Sequence, residues 1–381
     1  MRNTRLSALF TLFLAFAFSL RAEDKWVIKY SHEESKSTLT LTDLQFPSET
    51  RGVACGFELH HSSNILGDRE TEKGVVLVTS NGGKTWSRVY VKEEPASIFF
   101  LDDSVGWMTT DSGIWLTEES GRSWRRIAQV HDIDRVYFLT RQHGFAIGPM
   151  KHVYESNDGG VKWEPVAAAA SPDTTRDWTV YSSIAFADSK AGLITGFSHP
   201  PDRESMQEAL AEPAREARRP ELPHVSIFLD TKDGGKTWTP TTASLFGDIT
   251  KTSLSPDGTG LGLVEFRGVF PWPSEVYRIV LKDGKSERAY REQNRAITDV
   301  LLLPQGAGFI AGYEPPGKLV PSPIPGKVKI LRSADLENWE EMSVDYRAVA
   351  TRVFLAAAGR GAVWAATDTG TILKLVLDTN K

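Results

Sequence analysis

One short phrase, repeated, constrains this chain more than any other feature. It occurs as Thr79–Trp86 (TSNGGKTW), Thr117–Trp124 (TEESGRSW), Ser156–Trp163 (SNDGGVKW) and Thr231–Trp238 (TKDGGKTW), with a degenerate copy at Ser333–Trp339 (SADLENW). The pattern S/T-x-D-x-G-x-x-W describes a turn between two strands. A side chain at the third position accepts backbone N–H bonds, glycine adopts a positive φ at little cost, and Trp packs back on the hairpin. Self-similarity at a fixed period implies a repeat architecture before any single residue is weighed.

More of the unit is visible around each copy. Ile98–Trp124 reads IFFLDDSVGWMTTDSGIWLTEESGRSW and Val136–Trp163 reads VYFLTRQHGFAIGPMKHVYESNDGGVKW. These phrases resemble the Asp-box, or bacterial neuraminidase repeat, and the whole unit is similar to the photosystem II assembly and stability factor family. The resemblance implies an all-β fold, a seven-bladed propeller of four-stranded antiparallel blades. It also implies a non-enzymatic role, binding a protein partner as an assembly or stability factor for a membrane-associated complex. The family's basic patch for its partner has no matching arginine cluster in these strand phrases.

Residues 1–22 read as an export signal. Arg2 and Arg5 precede the apolar run Leu6–Leu20, and Leu20-Arg21-Ala22 ends in a small residue suited to cleavage. The run is short for a membrane span, which needs roughly 20 apolar residues. A periplasmic or extracellular protein is expected, without a stable span in the mature chain; retention of the leader as an anchor stays open. Its removal takes away Arg2, Arg5 and Arg21, leaving 41 basic against 49 acidic residues. Such a surface repels phosphate backbones, so nucleic acid is not an expected partner. The one cysteine, Cys55, allows no internal disulfide.

Residues 23–381 divide into blades at Leu39–Val91, Ala96–Ala128, Ile133–Val166, Trp178–Thr241, Asp248–Tyr290 and Ala296–Met342. Blade five has lost the repeated turn and carries Lys282-Asp283-Gly284-Lys285 instead. The seventh shows three strands, Ala348–Leu355, Ala362–Ala366 and Thr371–Leu377. Its fourth is expected from Lys25–Tyr30, which would close the ring and remove two sheet edges. One propeller domain and a monomer are expected.

Four insertions, Glu58–Lys73, Ser198–Pro223, Arg267–Ser274 and Tyr313–Gly326, fall between second and third strands, and so on one face, opposite the repeated turns. Loops on a rigid scaffold are where binding residues concentrate. Arg267, Phe270, Trp272, His61 and Tyr313 are the candidate partner contacts, Arg267 and Trp272 foremost. The alternative for Phe270 and Trp272 is packing of their own loop. Residues 198–223 read as a charged helical flap. His60, His61, Asp68 and Glu70 suggest a metal only superficially, because adjacent histidines on extended backbone point apart; no metal or cofactor is expected. The turn residues Asn81, Trp86, Glu119, Trp124, Asp158, Trp163, Asp233, Trp238, Asp335 and Trp339 are read as structural, since a catalytic carboxylate would not tolerate the amide of Asn81. No sialidase Arg-Ile-Pro element occurs, Tyr30, Tyr90 and Tyr137 lack an evident catalytic partner, and no nucleophile triad or phosphate loop is present, so no enzyme is expected. A carbohydrate-binding, glycosidase or sialidase-like protein using the same face is the alternative.

Overall fold

The computed structural model describes residues 24–64, 67–199, 223–266, 270–315, 324–359 and 361–377. The expected export signal, Arg267 and most of the expected flap lie outside them. Seven sheets form a seven-bladed propeller of antiparallel blades, blades one to six running inner to outer in chain order. Blade one is Ser37–Gln45, Gly52–Asn64, Gly67–Thr79 and Ser87–Val91, and blade two is Pro95–Phe100, Gly106–Thr110, Gly113–Thr117 and Arg125–Ala128. Blade three starts on Arg135–Phe138 and ends on the two-residue strand Glu164–Pro165. Blade four has Thr179–Phe186, Gly192–Ser198, His224–Thr231 and Thr239–Leu245. Blade five has Asp248–Leu254, Thr259–Glu265, Ser274–Val280 and Lys285–Arg291, and blade six starts on Ala296–Leu302 and ends on Glu340–Glu341. Helix among the described residues is limited to the 3-10 turns Ala167–Ala170 and Arg176–Trp178.

The ring closes as expected. Lys25–Ser31 pairs antiparallel with Thr371–Val376, from Lys25 opposite Val376 to Ser31 opposite Thr371. The edge this leaves is covered by Ser343–Val344, which runs parallel to the N-terminal strand. Two boundaries differ from expectation. Val349–Ala350 pairs with blade six, so the inner strand of blade seven is Val353–Ala358. The blade-one insertion is a regular ladder that continues the pairing of strands two and three out to Asn64 opposite Gly67.

The repeated turns hold themselves together. Asp158 accepts from the backbone N–H groups of Val161 and Lys162, Asn81 from Thr85 and Asp335 from Glu337 and Asn338, all at 2.8–3.1 Å. Ser156 and Thr231 accept from Gly160 and Gly235, and Glu119 accepts from its own turn's Ser123 hydroxyl. The second glycine also permits close approach to the preceding blade. A Cβ on Gly83 (φ +75°) would lie 2.2 Å from Trp364, and one on Gly235 (φ +89°) 2.2 Å from Phe145. The degenerate copy is one residue shorter and places Leu336 at φ +63°.

Each turn Trp closes an interface with the preceding blade. Phe46 stacks on Trp364 at 4.1 Å with Trp86 edge-on to both, and Phe138 stacks on Trp107 at 3.6 Å with Trp163 edge-on to Phe138. Trp238 stands edge-on to Phe145 and Phe186, Trp124 to Phe100, and Trp339 to Tyr290. Blade seven lacks the turn, and Trp26 of the N-terminal strand takes over. It is 1% exposed, edge-on to Phe309, and donates through Nε1 to Met342 Sδ.

Inner strands splay too far apart to pair, so side chains bridge them. Five carry a bulge at the same step, with Thr42, Ala96, Ser182, Thr250 and Thr298 as the extra residues. Thr42 donates to the Pro95 carbonyl and Thr298 to that of Val353, while Asp43 accepts from Ile98 N–H and Asp299 from Leu355 N–H. Cys55 lies buried beside them. Burial first, and the Asp43 charge second, raise its thiol pKa.

Replacing Trp26 by Ala removes the plug of the closing blade. It should lower stability by about 3–5 kcal/mol in urea unfolding while the transition stays a single step. Asp233 is held down to about 2 by the Thr237 hydroxyl first and the Thr237 N–H second. Its folded pKa lies below its unfolded value, so its contribution is complete above about pH 4 and disappears as pH falls toward about 2. The stability gap between wild type and Asp233→Ala, read by denaturant titration, should therefore close across that window.

Candidate functional site

Six buried apolar clusters occupy six of the seven interfaces between neighbouring blades. Among the described residues, no such cluster joins blades four and five. The cause is local sequence. Blade five carries no turn Trp, and its inner strand ends on Leu254 where blades one to four have Phe46, Phe100, Phe138 and Phe186. With both of these aromatic groups absent, the interface stays open as a cleft of about 670 Å³.

The cleft is graded along its length. Its lining combines apolar side chains, Leu193, Phe228, Ile279 and Leu281, with the hydroxyls of Thr237, Thr239, Thr241 and Thr242. Lys232, Lys282 and Lys285 stand at the end formed by the strand-three-to-four turns. Asp230 also lines it, and burial raises its pKa against the lowering effect of Lys232. At the opposite end the cleft meets a second pocket of about 210 Å³ through shared walls at Leu245, Val264 and Tyr277. There Phe266 and Phe270 stack at 4.2 Å, Trp272 stands edge-on to Phe270, and Phe246 approaches Phe270 at 5.8 Å.

Two of the expected contact residues, Phe270 and Trp272, thus lie at the insertion-face mouth of this cleft. Trp272 has one ring face covered by Arg291, whose guanidinium carbon is 3.7 Å from the ring centre. Its Nε1–H is buried and finds no acceptor among the described residues. Arg291 in turn binds Glu275 at 3.1 Å, and Tyr277 donates to the same carboxylate at 2.6 Å. Burial, then the Glu275 bond and charge, push Tyr277 up to about 12, so it remains a donor.

The remaining candidates stand apart. His61 pairs with Glu70 at 3.1 Å on the blade-one hairpin, while its neighbour His60 faces Glu58. Tyr313 lies at the end of a blade-six strand, its pKa raised by burial first and then by Glu265 and Asp368. Arg267 lies outside the described residues.

Sequence reasoning also missed a network joining blades seven and one. Tyr30 and Tyr90 do have a partner. Arg88 donates to the Tyr30 hydroxyl and to both oxygens of the fully buried Glu58, which also accepts from Ser37 and Tyr90. Burial alone would raise the Glu58 pKa, but Ser37 and Arg88 outweigh it and the carboxyl is lowered. The clue was the length of Gly52–Asn64, which runs on through a polar stretch where a blade strand would normally end. The central channel holds a small cavity of about 170 Å³ that includes Asp43, Arg135 and Lys251.

An open interface tolerates added volume and a filled one does not. Ile310→Phe, in the closed blade five–six interface, should cost about 1–3 kcal/mol, whereas Ile279→Phe, facing the cleft, should cost less than about 0.5 kcal/mol. Parallel urea titrations of the two variants check this.

No protein-family model matches the chain, and no curated protein matches it. Among solved structures it is similar to YCF48 bound to D1 peptide, at 12% identity over 94% of this chain and 97% of that one, with a TM-score of 0.57. It is similar also to YCF48 from Cyanidioschyzon merolae, at 13% identity over 93% and 98% of the two chains, TM-score 0.55. Selenomethionine-substituted virginiamycin B lyase from Staphylococcus aureus matches at 10% identity over 93% and 100%, TM-score 0.57. At these identities the likeness is one of fold, and a peptide-bound protein and an enzyme share it. The chain is therefore a seven-bladed propeller resembling the photosystem II assembly-factor propellers.

Proposed function

We propose that this is an exported, non-enzymatic propeller that binds a protein partner, and that the partner contributes an extended segment to the cleft between blades four and five. The apolar leader at residues 1–22 supports export to the periplasm or beyond. The observation that carries the reading is the interface left without an apolar cluster among the described residues, with aromatic residues at one mouth and three lysines at the other. YCF48 bound to D1 peptide provides an example of a propeller of this kind with a peptide ligand.

The strand bordering the cleft argues for extended polypeptide. Thr239–Leu245 (TPTTASL) is the outer strand of blade four and pairs on one side with His224–Thr231. On its other side no strand pairs with it among the described residues. It is largely exposed and carries no charge, whereas every other outer strand does, as in Lys285–Arg291 (KSERAYR). Edge strands are ordinarily protected by charge, and one without it is a template for strand addition. A segment paired there would direct alternate side chains into the cleft, and the lysines favour an acidic residue at one end.

Synthetic peptides alternating Val and Thr, ending in Asp-Glu or in Lys-Lys, provide the test. By fluorescence anisotropy the acidic peptide should bind at least about tenfold more tightly than the basic one. That preference should vanish in Lys282→Glu/Lys285→Glu, and Trp272→Ala should weaken both peptides. Equal, unsaturable binding of both peptides, or glycoside hydrolysis or selective glycan-array binding by the same preparation, would replace this reading with a carbohydrate-directed one.

A further inference from the structure

The interface that lacks an aromatic plug carries a different cross-link candidate at its insertion-face end. His199 follows the second strand of blade four, His224 begins the third, and Asp248 begins the inner strand of blade five. These positions bring three ligand-bearing side chains from two blades to one point. His224 Nδ1 lies 2.9 Å and His199 Nε2 3.0 Å from the same oxygen, Asp248 Oδ1. The imidazole rings lie 4.1 Å apart, inclined at 38°, and all three ligand atoms fall within 4.8 Å of one another. Asp248 is 2% and His224 6% exposed.

We propose that His199, His224 and Asp248 form a binding site for a divalent transition-metal ion of the zinc type. Two imidazole nitrogens with one carboxylate oxygen are a donor set suited to zinc. Zinc bonds of about 2.0–2.2 Å in a tetrahedral array place donor atoms roughly 3.3–3.6 Å apart, so each imidazole nitrogen would move only about half an ångström from Asp248 to admit the ion. His199 Nε2 supplies the second observation. It is buried and, despite its distance from the carboxylate, makes no hydrogen bond among the described residues, so its direction does not fit an N–H donated to Asp248. The ring is held from behind, by its backbone N–H on the Trp178 carbonyl and by the edge of Phe197. A three-ligand site leaves one coordination position for water or a partner group.

A second cluster of this kind, His32, Glu34 and Glu58, already holds a cation of its own. There the Arg88 guanidinium reaches both Glu58 oxygens at 3.2 Å and Glu34 at 2.9 Å, taking the place of a cation. At the blade four–five site an ion would join the two blades across the interface that apolar packing leaves open, stabilising the ring through binding linkage.

The test uses the full mature chain without a histidine tag, dialysed against chelator and titrated with Co²⁺ alone, then Zn²⁺. One equivalent of Co²⁺ should develop visible d–d bands that Zn²⁺ abolishes, and Zn²⁺ at 100 times its Kd should shift the folding equilibrium about 100-fold, seen as a raised Tm. His199→Gln, whose ring lies at the edge of the site, and His224→Gln should each weaken Co²⁺ by at least about tenfold, with circular dichroism confirming that they fold. Absence of a saturable Co²⁺ band in the wild-type chain would overturn the proposal. So would a one-equivalent band that survives both folded histidine variants undiminished.

Discussion

The ring depends on how the wedge between neighbouring blades is filled. Twisted four-stranded sheets packed around an axis diverge outward, so each interface needs bulk near its outer strand that inner-strand side chains cannot supply. The turn Trp provides it, pressed edge-on against the aromatic or apolar layer behind it. The rest of the turn serves that placement. Its acid or amide binds its own backbone, and its second glycine lets the turn settle on the preceding blade.

The two blades without this turn meet the constraint differently. Blade seven borrows Trp26 from the far end of the chain, so the strand that closes the ring also fills the blade six–seven interface. Blade five borrows nothing, and its interface with blade four stays open. A defect in the repeat thus becomes a concave surface on an otherwise close-packed scaffold. That is the ordinary origin of a binding site: rigid walls, partial desolvation and a few directed polar groups. The uncharged outer strand beside it and the His199, His224 and Asp248 cluster at its end gather three separate features at one interface.

A different economy governs the inner strands. Their edge N–H and carbonyl groups face a channel too wide for a shared ladder, and threonine, serine and aspartate side chains reach across to them.

The amino-acid sequence by itself determined the blade count, the strand order within each blade, the closure by Lys25–Ser31 and the positions of the repeated turns. Each of these follows from local pattern: strand alternation, turn chemistry and period. It also placed Phe270 and Trp272 on a blade-five insertion, and it registered the missing turn at Lys282–Lys285. Only the tertiary structure decided what that absence meant, because a cavity is the failure of two distant segments to meet. Tyr30 and Tyr90 finding Arg88 and Glu58, Trp26 replacing a turn Trp, and His199 and His224 converging on Asp248 are likewise contacts between blades. Spacing along the chain does not encode them; the angle at which one sheet leans on the next does.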